Sequence, residues 1–179
     1  MSGIWRMNER VLIREEEGGI FVFQFKEQEV KHRVLHGGPW YYSNSMLLLA
    51  DYDGLRAPSE VPLHFLEEWV AVTGLRVAMS NERALTRIGN LMGTFVRVDQ
   101  VALQRKEATQ RIRLIFDVRH RVWARRTVCF TPEVSVALEF RFEKCRGICK
   151  GCGFFTHGGG KCDQKLVKEA AVKEPSLVL

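Results

Sequence analysis

The sequence predicts an α+β fold built from an antiparallel-rich sheet and two helices, with a small separate segment near the C-terminus. Short β-branched and aromatic runs with a two-residue period predict the strands, and two stretches with apolar residues three or four positions apart predict the helices. After Glu143 this patterning stops and a glycine- and cysteine-rich stretch begins. A hydrophobic fraction of 46% is sufficient to form a core.

The first part of the chain predicts a strand–helix–strand unit. "IFVFQF" at 20–25 has the aromatic and β-branched composition of a strand. "KEQEVKHRVLHGGP" predicts a helix that buries Val30 and Val34 and stops at the glycine pair before proline. "SMLLLADY" at 45–52 predicts a second buried strand, and the proline-containing stretch 53–62 predicts a linker.

The second part repeats this order. A strand over 68–75 precedes a helix that Ser80 can cap and Gly93 can end, and "TFVRVDQ" at 94–100 predicts the next strand. "RIRLIFDV" and "VSVALEFRF" alternate and predict two further strands. A ferredoxin-like or RNA-recognition-like topology accommodates this order. The predicted organisation is an α+β domain over 1–144, a metal-binding segment over 145–163 and a mobile tail over 164–179.

The C-terminal segment has the spacing of a metal site. Its ligand pattern is C-x2-C-x4-H-x4-C, formed by Cys149, Cys152, His157 and Cys162. Zinc prefers four tetrahedral sulfur and nitrogen ligands, and a closed Cys3His set is typical of a structural site. The sequence therefore predicts one structural Zn²⁺, and the alternative is a glycine-rich loop without a ligand. Gly153 follows the first turn, where a positive φ is often needed.

Two further cysteines have other expected roles. Cys145 precedes Cys149 by four residues, and that spacing fits a metal-binding turn less well than two intervening residues. Cys129, in "TVCF", is expected to be a small buried hydrophobic residue.

Positive charge is concentrated in one part of the chain. The net charge is +6, and residues 105–126 alone hold eight basic and two acidic side chains, a surplus equal to that of the whole chain. This concentration favours a polyanionic partner, because release of phosphate counterions drives nonspecific binding. The alternative is a solvated, arginine-rich pair of strands.

Alternation within "RIRLIFDVRHRVWARR" predicts an extended stretch with an arginine-rich face that carries an exposed Trp123, above an apolar face. The alternative is a turn near Arg119–Arg121 that breaks the phase, because sixteen residues exceed a strand of typical length. Cations for phosphate and flat side chains for bases are what single-stranded nucleic acid requires. The cysteine segment adds two phenylalanines, of which one is expected to stack on a base while the other packs on the domain, and two flanking lysines. The candidate nucleic-acid contacts are Arg111, Arg113, Arg119, Arg121, Trp123, Arg125, Arg126, Lys150, Phe154, Phe155 and Lys161.

The chain resembles a plant domain of unknown function that adjoins retroviral-type CCHC zinc knuckles in LINE-type retrotransposon proteins and their host-derived relatives. The resemblance spans about residues 5–162 and depends on "FVFQFKEQEVKHRVLHGGPWYY", "EWVAVTGL", "RIGNLMGTFVRVD" and "VALEFRFEKC", followed by the knuckle spacing. It implies zinc binding and nucleic-acid binding, and it implies no catalytic activity. Lys150 stands where viral knuckles carry an aromatic residue.

Other classes of function have no sequence support. No P-loop or dinucleotide-binding glycine motif occurs, the histidines are scattered, and a closed zinc shell leaves no position for an activated water. Neither a membrane-length apolar run nor a signal peptide is evident, so an intracellular protein, nuclear or cytoplasmic, is expected. The predicted partner is RNA or single-stranded DNA, with no membrane and no small-molecule substrate. The alternative is a protein-interaction or self-association module that contains a structural zinc.

Overall fold

The computed structural model describes Trp5 and residues 11–149, 151–155, 162 and 177–178. The chain divides into two units, Met1–Glu67 and Glu68–Leu179. Helices combine with antiparallel sheets, so the predicted α+β class is confirmed. Among the residues that the structure describes, no helix has both the length and the apolar composition needed to cross a bilayer.

The described residues form three helices and ten strands. In chain order these are β1 (Val11–Glu15), β2 (Phe21–Phe25), α1 (Gln28–Gly37), β3 (Trp40–Tyr42), β4 (Ser45–Leu47), β5 (Phe65–Thr73), α2 (Glu82–Asn90), β6 (Thr94–Val98), α3 (Gln100–Gln104), β7 (Gln110–Asp117), β8 (Arg125–Thr131), β9 (Val134–Phe142) and β10 (Leu177–Val178).

The first unit is organised around aromatic side chains. Strands β1 and β2 form an antiparallel hairpin, and Trp5 lies 5.0 Å from Phe23 and 6.1 Å from Trp40, both as edge-to-face ring pairs. Trp40 also donates its indole N–H to the Val34 carbonyl at 2.7 Å, which satisfies one of the carbonyls that the end of α1 leaves unpaired. The predicted helix with buried Val30 and Val34 is confirmed.

The predicted strand over 45–52 is not found. Residues 45–47 instead form β4, which pairs with β3 in a short hairpin, and residues 48–52 have no regular structure. Ser43 and Asn44 make the tight turn with φ of 47° and 66°, as two-residue hairpin loops require. The prediction is wrong because composition alone does not distinguish a buried strand from a half-buried loop.

The second unit contains the main sheet, which has six strands in the order β10-β8-β9-β5-β7-β6. Strand β7 lies between β5 and β6, although β5 and β6 are consecutive strands joined through α2. This is the split β-α-β arrangement of ferredoxin-like folds. Strands β8 and β9 pair as an antiparallel hairpin, and β9 also pairs antiparallel with β5.

Helix α2 covers one face of this sheet. Leu85 and Ile88 are fully buried in the same cluster as Val70, Ile112 and Leu138 from three neighbouring strands. Even-numbered residues of β5, β7 and β9 therefore face the helix, and odd-numbered residues face away from it.

The helix termini differ in detail from the prediction. Asn81, and not Ser80, caps α2, because its side-chain oxygen accepts the Ala84 amide at 3.0 Å. The helix ends at Asn90 and not at Gly93. The short helix α3, capped by Asp99, was not predicted.

Two residues of the segment expected to be a mobile tail are in a strand. Leu177 and Val178 pair in parallel with Val128 and Cys129 of β8. An edge strand offers unpaired backbone groups that an extended segment can satisfy. The remainder of 164–179 lies outside the described residues.

Strand β5 contains a buried carboxyl group. Glu68 is only 1% exposed, and it accepts the Trp69 amide at 2.7 Å and the Cys145 thiol at 3.5 Å. Burial raises the pKa of Glu68, because the interior disfavours the charged carboxylate. When a carboxyl group has a higher pKa in the folded protein than in the unfolded chain, the protein loses stability as the pH rises above the pKa of the unfolded chain.

We expect Glu68→Gln to stabilise the protein at neutral pH. Glutamine keeps an acceptor for the Trp69 amide without a buried charge, so the free energy of unfolding at pH 7 should rise. The stability of the natural chain should fall as the pH rises above the usual pKa of a glutamate, and the variant's profile should be flatter. Urea unfolding at several pH values measures both. A variant less stable than the natural chain at pH 7 would contradict the expectation.

Candidate metal centre and nucleic-acid interface

Three thiols converge in the cysteine segment, residues 149–162. The Sγ atoms of Cys149, Cys152 and Cys162 all lie within 4.8 Å of one another. Two sulfurs on one tetrahedral zinc at ~2.3 Å are separated by ~3.8 Å, so this cluster is close to the geometry that a single ion needs. The fourth predicted ligand, His157, lies outside the described residues. Three cysteine donors in this arrangement fit zinc.

The backbone of this segment makes the turn that brings the first two cysteines together. The Gly153 amide donates to the Cys149 carbonyl at 2.8 Å, and the Cys149 amide donates to the Phe154 carbonyl at 2.9 Å. The Gly151 amide lies 3.4 Å from the Cys149 sulfur, where it can donate to a thiolate. Gly153 has a φ of +77°, so the positive φ predicted at this position is confirmed.

The turn is fixed to the rest of the second unit through Gly153. Its carbonyl accepts the Val122 amide at 2.9 Å. A Cβ atom at Gly153 would lie 2.5 Å from the Val122 carbonyl oxygen, so only glycine allows this approach. Phe155 stacks on Phe116 with ring centres 5.9 Å apart and an interplanar angle of 18°. These contacts hold the thiol cluster beside the segment that joins β7 to β8.

A cationic and aromatic group occupies that same joining segment. Two arginines contact Trp123, with the Arg121 and Arg126 Cζ atoms 4.1 Å and 5.0 Å from the centre of its ring system. All three side chains are half-buried. We call Arg121, Trp123 and Arg126 the Trp123 cluster. It includes the neighbours of Val122, whose amide bonds to the cysteine segment, so the thiol cluster and the Trp123 cluster are held close together.

The prediction of one continuous arginine-rich face is wrong. Strand β7 ends at Asp117, a turn follows, and β8 begins only at Arg125, so the alternation does not run through 111–126. Arg113 is 5% exposed, whereas the prediction placed it on the exposed face. A run of sixteen residues is too long for one strand of average length, and the turn changes the phase of the alternation.

Ion pairs offset the charge of several arginines that were predicted to contact nucleic acid. Arg111 donates to both Glu143 oxygens at 2.6 Å and 2.7 Å and to Asp99 at 2.6 Å. The hydrogen bonds from Arg111 hold the pKa of Glu143 below its usual range.

Two more of the predicted arginines have a carboxylate partner. Arg119 pairs with Asp117 at 2.5 Å, and Arg125 pairs with Glu139 at 2.5 Å. The charge surplus of residues 105–126 therefore overstates the charge available to a ligand.

The remaining predicted contacts are in the cysteine segment. Phe155 packs on Phe116 within the unit, and Phe154 is half-buried. Lys150 and Lys161 lie outside the described residues. One phenylalanine thus packs on the domain, as the sequence suggested, while a base-stacking role for the other stays a prediction.

The other two cysteines do not join the thiol cluster. Cys145 donates its S–H to Glu68, and burial together with this carboxylate raises the pKa of the thiol. A thiol that resists deprotonation is a poor metal ligand. Cys129 is only half-buried, in contrast to the expected buried position, and its sulfur lies 3.2 Å from the Ser135 hydroxyl.

Sequence reasoning missed one further group. Trp69 on β5 has the guanidinium carbons of Arg111, Arg113 and Arg97 at 4.9, 5.5 and 5.4 Å from the centre of its ring system. Trp69 alternates with the buried Val70 and Val72, which is a signal that it faces away from the core. The sequence does not state which strands are neighbours, so this grouping was not visible.

Comparison with known proteins gives two matches. A family described as Domain of unknown function (DUF4283) matches residues 1–60, and a family described as Zinc knuckle matches residues 116–164. The chain carries a DUF4283 segment followed by a zinc knuckle. No curated protein and no solved structure matches the chain.

The zinc-knuckle match begins well before the first cysteine. It starts at Phe116 and so includes the ring that Phe155 stacks on, the whole Trp123 cluster, and strands β8 and β9. The knuckle and its supporting hairpin therefore fall within one matched region. This agrees with the Gly153–Val122 contact that holds them together.

Proposed function

We propose that this protein binds single-stranded nucleic acid, RNA or DNA, with low sequence specificity, through its zinc knuckle and the adjoining Trp123 cluster. The observation that carries the proposal is the fixed placement of three metal-ligating thiols beside a tryptophan flanked by two arginines. Cys149, Cys152, His157 and Cys162 would hold one zinc ion, and the metal's role is to fold a segment too small for a core of its own.

The Trp123 cluster supplies both kinds of contact that a single strand needs. An indole and a guanidinium plane each stack on any base, which explains tolerance of sequence. Guanidinium groups also donate bidentate hydrogen bonds to phosphate oxygens. Because neither contact reads the edge of a base, the affinity is expected to depend strongly on salt concentration and only weakly on nucleotide sequence.

The proposal includes no catalytic step. The Cys3His set would fill a tetrahedral shell and leave no open position for water. A retroelement-derived nucleoprotein, acting in the nucleus or cytoplasm, is the setting that we infer from the resemblance of about residues 5–162 to plant LINE-type proteins. The DUF4283 match supports that setting only through its co-occurrence with the knuckle.

A salt titration tests the proposal. The whole zinc-loaded chain is titrated onto labelled single-stranded RNA, single-stranded DNA and duplex DNA at several salt concentrations. Affinity for single strands should fall steeply with salt, and the Arg121→Gln/Arg126→Gln double variant should bind more weakly. Its slope of log K against log[salt] should be shallower by ~1.4, since each phosphate contact on a single strand contributes about 0.7.

The control for this titration removes the same charge elsewhere. Arg83 and Arg87 are exposed residues of α2, so Arg83→Gln/Arg87→Gln should leave the slope of the natural chain unchanged. Equal losses in the two double variants would show that net charge alone matters and would contradict a role for the Trp123 cluster. Absence of binding at low salt, with dimers in solution, would favour the assembly module instead.

A further inference from the structure

The sheet of the second unit has a face that α2 does not cover. Leu85 and Ile88 of α2 pack with even-numbered residues such as Val70 and Ile112. Trp69 on β5 and Arg111 and Arg113 on β7 are odd-numbered and face the other way. Strands β5, β7 and β6 are neighbours in that order, so residues from all three can form one surface.

Register places a fourth residue on this surface. Arg97 of β6 is directly opposite Arg113 of β7, and residues opposite each other in an antiparallel pair point to the same side. The guanidinium carbons of Arg97, Arg111 and Arg113 lie 4.9 to 5.5 Å from the centre of the Trp69 ring system. We call these four residues the Trp69 face.

The members of the Trp69 face differ in their partners and in their exposure. Arg111 is held on both sides by Glu143 and Asp99, and Arg113 is 5% exposed, so both are fixed parts of the surface. Arg97 is exposed, and among the described residues its contact is with Trp69 and not with a carboxylate. Arg97 is thus the cation of this face that a ligand can reach most directly.

We propose that the Trp69 face is a second binding surface for single-stranded nucleic acid, on which a base stacks against the Trp69–arginine group while a phosphate contacts Arg97. This inference rests on the proposed function, because the ligand class is the same. Charge complementarity supports this occupant. Asp99 and Glu143 offset the charge of Arg111, and Arg113 is buried, so the exposed Arg97 beside the half-buried Trp69 indole is the group that suits an anionic ligand with planar bases. An apolar protein partner would instead need an exposed apolar surface at the same place.

The inference differs from the proposed function in the residues involved. The Trp123 cluster lies in the segment between β7 and β8 and at the start of β8, beside the knuckle, whereas the Trp69 face lies on β5, β6 and β7. The two surfaces share no residue. Variants can therefore remove one surface and leave the other.

Photocrosslinking with the whole chain locates the contact. Oligonucleotides that carry 4-thiouridine, or 4-thiothymidine for DNA, are irradiated in complex with the protein, which is then digested with trypsin. Trp69 falls in the tryptic peptide 57–76, where it is the sole tryptophan, and Trp123 falls in the peptide 122–125. The inference predicts crosslinks to peptide 57–76 in addition to those near the knuckle.

Matched substitutions give the energetic test. Trp69→Leu removes the indole, and Trp69→Phe keeps a flat ring at the same strand position. Trp69→Leu should weaken binding roughly 5- to 150-fold, the range expected for loss of one base stack, and Trp69→Phe should recover most of it. Arg97→Gln should reduce the salt slope by ~0.7, while Arg87→Gln on α2 should not change it.

The possible outcomes separate the two ideas. Crosslinks to peptide 57–76 together with weaker binding by Trp69→Leu support the Trp69 face. Binding by the natural chain with crosslinks confined to the knuckle region, and unchanged affinity in Trp69→Leu and Arg97→Gln, would overturn this inference and leave the proposed function intact. Absence of binding by the natural chain at low salt would overturn both. If Trp69→Leu fails to fold, Arg97→Gln and the crosslinks decide.

Discussion

Replacing Cys152 by serine is expected to abolish stoichiometric zinc binding and to unfold the knuckle while the sheet of the second unit stays folded. Cys152 is fully buried, and its sulfur is one of the three that converge. A knuckle of this size has no core of its own, so it depends on the metal, which supplies about 10–16 kcal/mol in zinc-finger peptides. The sheet has a separate core that does not include Cys152.

Elemental analysis and NMR measure the two parts of this result. The zinc content of Cys152→Ser should fall well below one per chain, and the amide signals of Gly151 and Gly153 should lose their dispersion. Cys129→Ser is the matched control, because Cys129 lies beside Ser135 on the β8–β9 hairpin and outside the thiol cluster. Retention of one zinc by Cys152→Ser, or equal loss in both variants, would contradict the assignment of the ligands.

Gly153→Ala is expected to release the knuckle from the second unit without removing the metal ligands. A positive φ costs an alanine about 1–2 kcal/mol. The added Cβ would also lie 2.5 Å from the Val122 carbonyl oxygen and 2.9 Å from Arg121 Cγ. The Val122–Gly153 hydrogen bond should therefore break, for a total loss of about 2–4 kcal/mol in the docked state. Affinity for single-stranded RNA should fall about tenfold, which corresponds to 1.4 kcal/mol.

A second glycine separates backbone strain from collision. Gly147 has a φ of +85°, but a Cβ there would meet nothing within 4 Å. Gly147→Ala should therefore show only the conformational cost. Hydrogen exchange at the Val122 amide should accelerate in Gly153→Ala and not in Gly147→Ala. Similar exchange in the two variants would mean that the Gly153–Val122 contact does not fix the knuckle.

The fold class could be predicted from sequence because strands such as β9 alternate strictly between buried and exposed residues. Val136, Leu138 and Phe140 are buried, and the residues between them are exposed, as "VSVALEFRF" indicates. The stretch 45–52 could not be assigned in the same way. Its apolar residues form a short hairpin and a half-buried loop, and composition does not determine whether such a run finds a partner strand.

The convergence of the thiols was predictable because ligand spacing is a local property. Cys149 and Cys152 are brought together by one turn, which two intervening residues and Gly153 specify. The arginine surface was not predictable in this way, because the exposure and ion pairing of its residues depend on tertiary contacts. Arg111 is paired with Glu143, which lies 32 residues further along the chain, and no local pattern reveals that partner.

The Trp69 face shows the same limit of prediction from sequence. Alternation within β5 indicates that Trp69 turns away from the core, and alternation within β7 gives the same direction for Arg111. Their contact arises only because β7 is inserted between β5 and β6 in the sheet. Strand order is a global property, so the sequence pattern identifies the components but not the surface.

The central claim is that a zinc-folded knuckle, held beside the Trp123 cluster, binds single-stranded nucleic acid. The most direct test measures the affinity of the whole chain for one labelled single-stranded RNA before chelation, after chelation and after zinc is restored. Affinity should fall on chelation and return with one equivalent of zinc, while the sheet remains folded by circular dichroism. Equal affinity in all three states, with zinc loss verified by elemental analysis, would contradict the claim.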